Sequence, residues 1–306
     1  MVPGALEPAG SAVVDEAMRL DAALPDRDWT ELPPDAVRSD FAAPSGALAM
    51  VSLGDPSHPR IVLLAGVTGS KEDFTLMLPT LAAAGYFVQS YDLAGQYESC
   101  AAGPENLVPP RAEYDYDLFV DDLLAVLESG TGPVHVLGYS FAGVVAQLGY
   151  LRRPDLYASL TLLSCPPEPG QAFRGVSRVG RFSGFTSPRV AAALMIWGLH
   201  RNVTHVPPGR QAFVEHRLRI TRMSSVDDIF GLMMRAPDAR SRLAAADIPK
   251  LVAVGEHDLW PLRLHAAFAE QIGARIAVYR TGHSPCETTP HQFCRDLLQL
   301  YRREPA

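Results

Sequence analysis

Three side chains in this sequence could together turn an alcohol into a nucleophile: Ser140, Asp258 and His283. A serine hydroxyl is weakly nucleophilic near neutral pH and needs a base within hydrogen-bond reach. An imidazole serving as that base needs a carboxylate to fix its tautomer and to stabilise the imidazolium it becomes. The chemistry open to such a set is attack on an electrophilic carbonyl.

Ser140 lies in Gly138-Tyr139-Ser140-Phe141-Ala142-Gly143. Val134 to Leu137 before it is a buried-strand pattern, and Val144 to Leu151 after it is a helical one closed by Arg152, Arg153 and Pro154. Strand, tight turn around a serine, then helix is the setting of a nucleophile elbow, whose strain demands small residues at −2 and +2. Gly138 and Ala142 meet that demand. Asp258 follows the strand pattern Lys250 to Gly255, and His283 follows Arg275 to Tyr279. Glu256 is the alternative carboxylate and His257 the alternative base. Asp258 lies deeper in its loop, and His283 has Gly282 before it and the last strand behind it. In an open parallel sheet the carboxyl ends of strands share one edge, so these loops converge there.

The elements that must position them alternate along the chain. Arg38 to Ala43 and Ala47 to Leu53 read as a hairpin around Pro44-Ser45-Gly46, and Arg60 to Leu64 as a strand covered on both faces. The small-residue loop Ala65 to Ser70 then leads into a helical pattern from Lys71 to Ala84, with Ser70 and Asp73 placed to cap it. Such a loop leaves backbone amides free to point into a cleft. Tyr86 to Asp92 reads as a strand, Tyr116 to Glu128 as a helix and Ser159 to Ser164 as a strand. Strand and helix in alternation predict an α/β fold with a mostly parallel sheet. Residues 1–35, with one short helical pattern, read as a loosely attached N-terminal extension.

From 168 to 247 the alternation stops. That stretch carries helical patterns at Arg189 to His200, Arg210 to Arg222, Val226 to Arg235 and near Arg240. A block of helices between two strands predicts a cap over the end of the sheet, with the core in 36–167 and 248–306. Met195, Ile196, Trp197, Phe213, Phe230, Met233 and Met234 make the block apolar; most are expected to pack its helices and some to line a cleft. His200, His205 and His216 lack metal-ligand spacing and read as surface or packing residues.

The bulk numbers fit. A chain of 306 residues, 47% apolar and 20% charged, suits one large α/β domain with an insertion. A net charge of −7 without basic runs argues against nucleic acid or an anionic membrane as partner. The four cysteines form no Cys-x-x-Cys; free thiols are expected, Cys286 and Cys294 being the one pair a disulfide could join. Met1 to Asp15 has no secretory-signal pattern, and no apolar run reaches the roughly 18 residues of a membrane span, so the expected location is cytoplasmic.

The sequence from about Arg38 to Arg302 resembles the α/β-hydrolase family. The resemblance rests on Leu64 to Ser70, Asp92-Leu93-Ala94-Gly95, Gly138 to Gly143, Gly255-Glu256-His257-Asp258 and Gly282-His283, in the family's order Ser, Asp, His. It implies an eight-stranded sheet, a serine-nucleophile branch with the helical cap inserted after the sixth strand, and an oxyanion hole made by the backbone N–H groups of Val67 and Phe141. Two positions depart from the pattern: Ala65 stands where His usually precedes Gly, removing a side chain that braces the loop, and Ala142 stands where Gly is commoner.

The expected activity is hydrolysis of a carboxylic ester or related acyl compound, hydrophobic in character, through an acyl-enzyme on Ser140. That chemistry requires no metal or organic cofactor. Serine at the elbow argues against epoxide hydrolase and haloalkane dehalogenase chemistry, which needs a carboxylate there. C–C bond hydrolysis, acyl transfer and cofactor-free peroxidase chemistry use the same set, and a non-catalytic small-ligand binder is the alternative from another class.

Overall fold

Short β-branched and apolar runs form the strands β1 (Val37–Ala43), β2 (Gly46–Leu53), β3 (Arg60–Leu64), β4 (Phe87–Tyr91), β5 (Val134–Tyr139), β6 (Tyr157–Leu163), β7 (Lys250–Gly255) and β8 (Arg275–Tyr279). In the computed structural model, which describes residues 11–173, 187–203 and 205–302, they make one eight-stranded sheet in the order β1-β2-β4-β3-β5-β6-β7-β8. The β1–β2 and β2–β4 pairings are antiparallel, and the five from β4 through β8 are parallel. Residues 1–10 of the expected extension, and 174–186 and 204 of the expected cap, lie outside the described residues.

Successive side chains of a strand face opposite sides of the sheet, so β3 feeds two cores. Val62 and Leu64 join Leu118, Phe119 and Leu123 of α3 (Tyr116–Glu128) and Phe141 and Val145 of α4 (Phe141–Arg152). Ile61 and Leu63 join Phe74, Met77 and Leu81 on the other face, with Phe293 and Leu297 of α11 (Pro290–Tyr301). Every residue of β3 is buried, Ile61 to Leu64 as an unbroken apolar run requires of a central parallel strand, and Arg60 with its guanidinium donating to Gln89 and to the Val126 and Leu127 carbonyls.

The helix expected from Lys71 to Ala84 is two pieces, a 3₁₀ turn at Lys71–Phe74 and α2 (Leu78–Ala83). Pro79 lies in the first turn of α2. Its ring clashes with the carbonyl four residues earlier and it has no amide to donate, so an α-helix can start there but cannot run through it. Between β6 and β7 the described residues form α5 (Pro188–His200), α6 (Pro208–Ile220), α7 (Met223–Met233) and α8 (Arg240–Ala244); α9 (Leu262–Gln271) and the short α10 (Pro285–Thr288) follow. All four cysteines are free.

The N-terminal segment is tied down more firmly than its composition suggests. At the end of α1 (Ser11–Ala22), Asp21 Oδ1 accepts the His291 amide at 2.9 Å and its Oδ2 accepts the Gln292 amide at 3.1 Å. These are amides of the first turn of α11, which have no acceptor within their own helix. Farther on, Asp26 Oδ2 accepts the Gly209 amide at the start of α6 at 2.8 Å, and the Arg210 guanidinium lies 4.6 Å above the Trp29 ring. Asp21→Ala removes an N-terminal cap and is expected to lower stability by about 1–2 kcal/mol. The check is a urea midpoint that falls with the slope unchanged.

Candidate active site

The site begins with a backbone conformation. Ser140 sits at φ 53° and ψ −121°, between the end of β5 and the start of α4. Its amide donates to the Leu163 carbonyl at the end of β6 at 2.8 Å, and its carbonyl accepts the Gly143 amide at 2.9 Å. The turn is so tight that a Cβ on Gly138 would lie 2.4 Å from the Ala142 carbonyl oxygen. A Cβ on Gly66 would come within 3.0 Å of Ser140 Cβ, so the loop after β3 can pass over the serine only because that residue has no side chain.

His283, between β8 and α10, places Nε2 3.3 Å from Ser140 Oγ. Its Nδ1 is hydrogen-bonded to Asp258 Oδ1, which also accepts the Leu259 amide at 2.6 Å. Asp258 is buried, and burial alone would raise its carboxyl. The His283 and His265 imidazoles beside it outweigh that and hold it down at about 2. The alternatives Glu256 and His257 are both exposed. Their amides donate to the Tyr279 and Thr281 carbonyls at 2.7 and 2.9 Å, fastening the loop after β7 to the loop after β8. The geometry therefore gathers Ser140, His283 and Asp258 and leaves Glu256 and His257 outside.

The loop from Ala65 to Ser70 is held from several sides. Gln96 Oε1 accepts the Thr68 amide at 2.9 Å, and Gln96 Nε2 donates to Ser225 Oγ of α7 at 2.7 Å. Asp92, after β4, accepts the Lys71 amide at 2.7 Å and pairs with the Lys71 ammonium at 3.0 Å. Asp73 Oδ2 accepts the Ser70 amide at 3.2 Å. Its Oδ1 accepts from Arg210 and Arg217 of α6 at 2.8 and 2.7 Å, and Arg210 also donates to Glu287 of α10 at 2.5 Å. Asp73, Arg210 and Arg217 are buried and Glu287 nearly so, and the four charges balance, two of each sign. Burial would raise the Asp73 carboxyl, but Arg217 and Arg210 more than offset it, whereas burial leaves Glu287 raised. The loop, with Ala65 where the resemblance leads one to expect histidine, is braced by Gln96 and Asp73. The sequence reading missed Gln96, Asp73, Arg210, Arg217 and Glu287 as neighbours of the site, because their partners lie on other elements.

A cavity of about 340 Å³ opens beside Ser140 and His283. Phe173, Met195, Phe230, Met233, Leu259 and Trp260 line much of it, and the Asp73–Arg210–Arg217–Glu287 cluster forms part of its wall. Of the apolar residues singled out in the insertion, Met195, Phe230 and Met233 thus reach the cavity. Phe213 packs with Trp29 and Tyr97 instead, and Trp197 is exposed. His200 and His205 are exposed, and His216 packs edge-on against Tyr97.

A sequence profile of the alpha/beta hydrolase family matches residues 61–296. The chain belongs to the alpha/beta hydrolase family. Solved structures of similar fold include a hydrolase from Pseudomonas aeruginosa PA01 (21% identity, 87% of this chain and 98% of that one covered, TM-score 0.69). Others are an enol-lactonase from Burkholderia xenovorans LB400 (17%, 87% and 100%, 0.67) and a thermophilic esterase from Thermogutta terrifontis (21%, 87% and 100%, 0.64). At these identities the likeness is one of fold. Among the described residues no helix is long and apolar enough to cross a membrane.

Two outcomes follow from the site's physics. Ser140→Gly relieves a φ that serine resists and is expected to raise stability by roughly 1 kcal/mol, read from the urea midpoint. The depressed carboxyl of Asp258 contributes stability that is present above about pH 4 and is lost as pH falls toward about 2. In an acid titration of unfolding, Asp258→Asn is expected to lack this component.

Proposed function

We propose that this protein is a serine hydrolase that cleaves carboxylic esters or related acyl compounds through an acyl-enzyme on Ser140. The observation that carries the reading is the ordered contact Ser140–His283–Asp258 at the carboxyl edge of the sheet, opening on a largely apolar cavity. Ser140 Oγ attacks the substrate carbonyl as His283 Nε2 takes its proton. Asp258 holds the Nδ1–H tautomer and faces the imidazolium that forms.

The developing oxyanion is received by two backbone amides. Phe141 is the first residue of α4, where an amide has no acceptor within the helix. In the loop after β3 the resemblance to the family makes the Val67 amide the donor, and the neighbouring Thr68 amide is already taken up by Gln96. His283 then protonates the leaving alcohol, and water activated by the same imidazole releases the acid. The helices between β6 and β7 act as the cap, and their Met195, Phe230 and Met233 favour a medium-sized hydrophobic acyl or alcohol group.

A fluorophosphonate probe is expected to label the native protein and not Ser140→Ala. On p-nitrophenyl esters, Ser140→Ala and His283→Ala should each lose turnover by a factor on the order of 10⁶, and Asp258→Asn by about 10⁴. Across a series from acetate to dodecanoate, kcat/KM should peak at medium chain lengths. Turnover of short charged esters alone would overturn the acyl preference, and labelling that survives Ser140→Ala would overturn the mechanism.

A further inference from the structure

Asp258 lies between two imidazoles, and only one of them belongs to the set described above. The second is His265, the fourth residue of α9. Helical side chains lean toward the N-terminus of their helix, so His265 reaches back over the loop that carries Asp258. Its ring is fully buried, and Nε2 stands 2.9 Å from Asp258 Oδ2. The contact is close but out of line: neither atom has a well-aligned hydrogen bond, and Nδ1 has no partner among the described residues.

The two carboxylate oxygens are served differently. Oδ1 is taken up by His283 Nδ1 and the Leu259 amide, whereas among the described residues Oδ2 accepts no well-aligned hydrogen bond and has the His265 ring nitrogen beside it. A buried carboxylate oxygen facing no N–H is costly, so a donor at this distance stabilises the rotation of Asp258 that faces it. Among the described residues Nδ1 of His265 faces no acceptor, whereas Nε2 faces the carboxylate, so the tautomer with its proton on Nε2 is the one the site favours. Trp260 fills the space against both rings, 6.2 Å from His265 edge-on and 5.8 Å from His283, and its Nε1–H is held by the Ala172 carbonyl at 2.5 Å. His265 is not among the residues that line the cavity, so whatever it does for the reaction passes through Asp258.

We propose that His265 is a positioning residue: it fixes the rotation of the Asp258 carboxylate so that Oδ1 stays in line with His283 Nδ1 as that ring becomes an imidazolium. The proposal rests on the catalytic reading of Ser140, His283 and Asp258 given above. It separates His265 from an ordinary core histidine, whose replacement would alter stability alone.

The test compares His265→Gln, whose amide nitrogen can occupy the place of Nε2, with His265→Asn, whose shorter side chain cannot reach Oδ2. Each is made in the native and the Asp258→Asn backgrounds, with Ser140→Ala alongside, and the readouts are kcat and KM on a p-nitrophenyl ester, fluorophosphonate labelling rate and Tm. His265→Asn is expected to lower kcat and the labelling rate by about 10–100-fold with KM unchanged, since small misplacements of a catalytic group cost about that much. His265→Gln should stay within about threefold of native, and in the Asp258→Asn background neither substitution should cost more than about twofold further. Should His265→Asn fail to fold, His265→Leu takes its place in the same comparison. A lowered Tm with native kcat, or an equal loss of kcat in both backgrounds, overturns the role of His265 while leaving the catalytic set standing. Turnover that survives Ser140→Ala overturns both.

Discussion

The positive φ of Ser140 is the constraint on which the rest of the site depends. A non-glycine residue held there costs about 1–3 kcal/mol, and it persists only where the surroundings over-determine it. Here the Leu163 carbonyl fixes the serine amide from one side, α4 begins immediately after it, and the absence of side chains at Gly138 and Gly66 lets two backbones approach. Each of these depends on strands β3, β5 and β6 running parallel and in register, so that their carboxyl ends stop at one level. The chemistry is placed by the sheet edge, and the sheet is placed by the two apolar cores on its faces.

A second constraint joins the inserted helices to that edge. Arg210 and Arg217 of α6 reach Asp73 beside the loop after β3, and Arg210 also reaches Glu287, four residues past His283. Taking these charges out of water costs several kcal/mol per ion, which a nearby opposite charge must offset. The arrangement therefore favours one seating of α6 over the sheet. Gln96 makes a similar link to α7 through Ser225. In the proposed mechanism, the loop that carries the Val67 amide and the segment that carries His283 are both held through the Arg210 guanidinium.

The parallel core was legible in the sequence because its cause is local. An unbroken apolar run such as Ile61 to Leu64 has few folds open to it, and a serine flanked by Gly138 and Ala142 signals its own turn. What escaped the sequence depends on contacts between distant segments. Asp21 meets α11 across 270 positions, and Arg217 meets Asp73 across 144, with no pattern near either residue to announce it. His265 lies on an amphipathic helix, where a histidine looks like any residue facing the core. The break at Pro79 is different, since that proline stood in plain view inside the stretch expected to be one helix. Between Asp258 and Glu256, depth in the loop was the usable signal, and burial of the one and exposure of the other correspond to it.

The balanced cluster of Asp73, Arg210, Arg217 and Glu287 also bears on how this pocket can change over time. Removing one member strands a buried charge, whereas exchanging the whole set for apolar groups of matching volume can be nearly neutral. A wall built this way resists stepwise drift and yields to concerted replacement. Lineages descending from such a protein would either keep all four residues or lose them together, and a pocket of different polarity would be reached by a jump rather than a gradient.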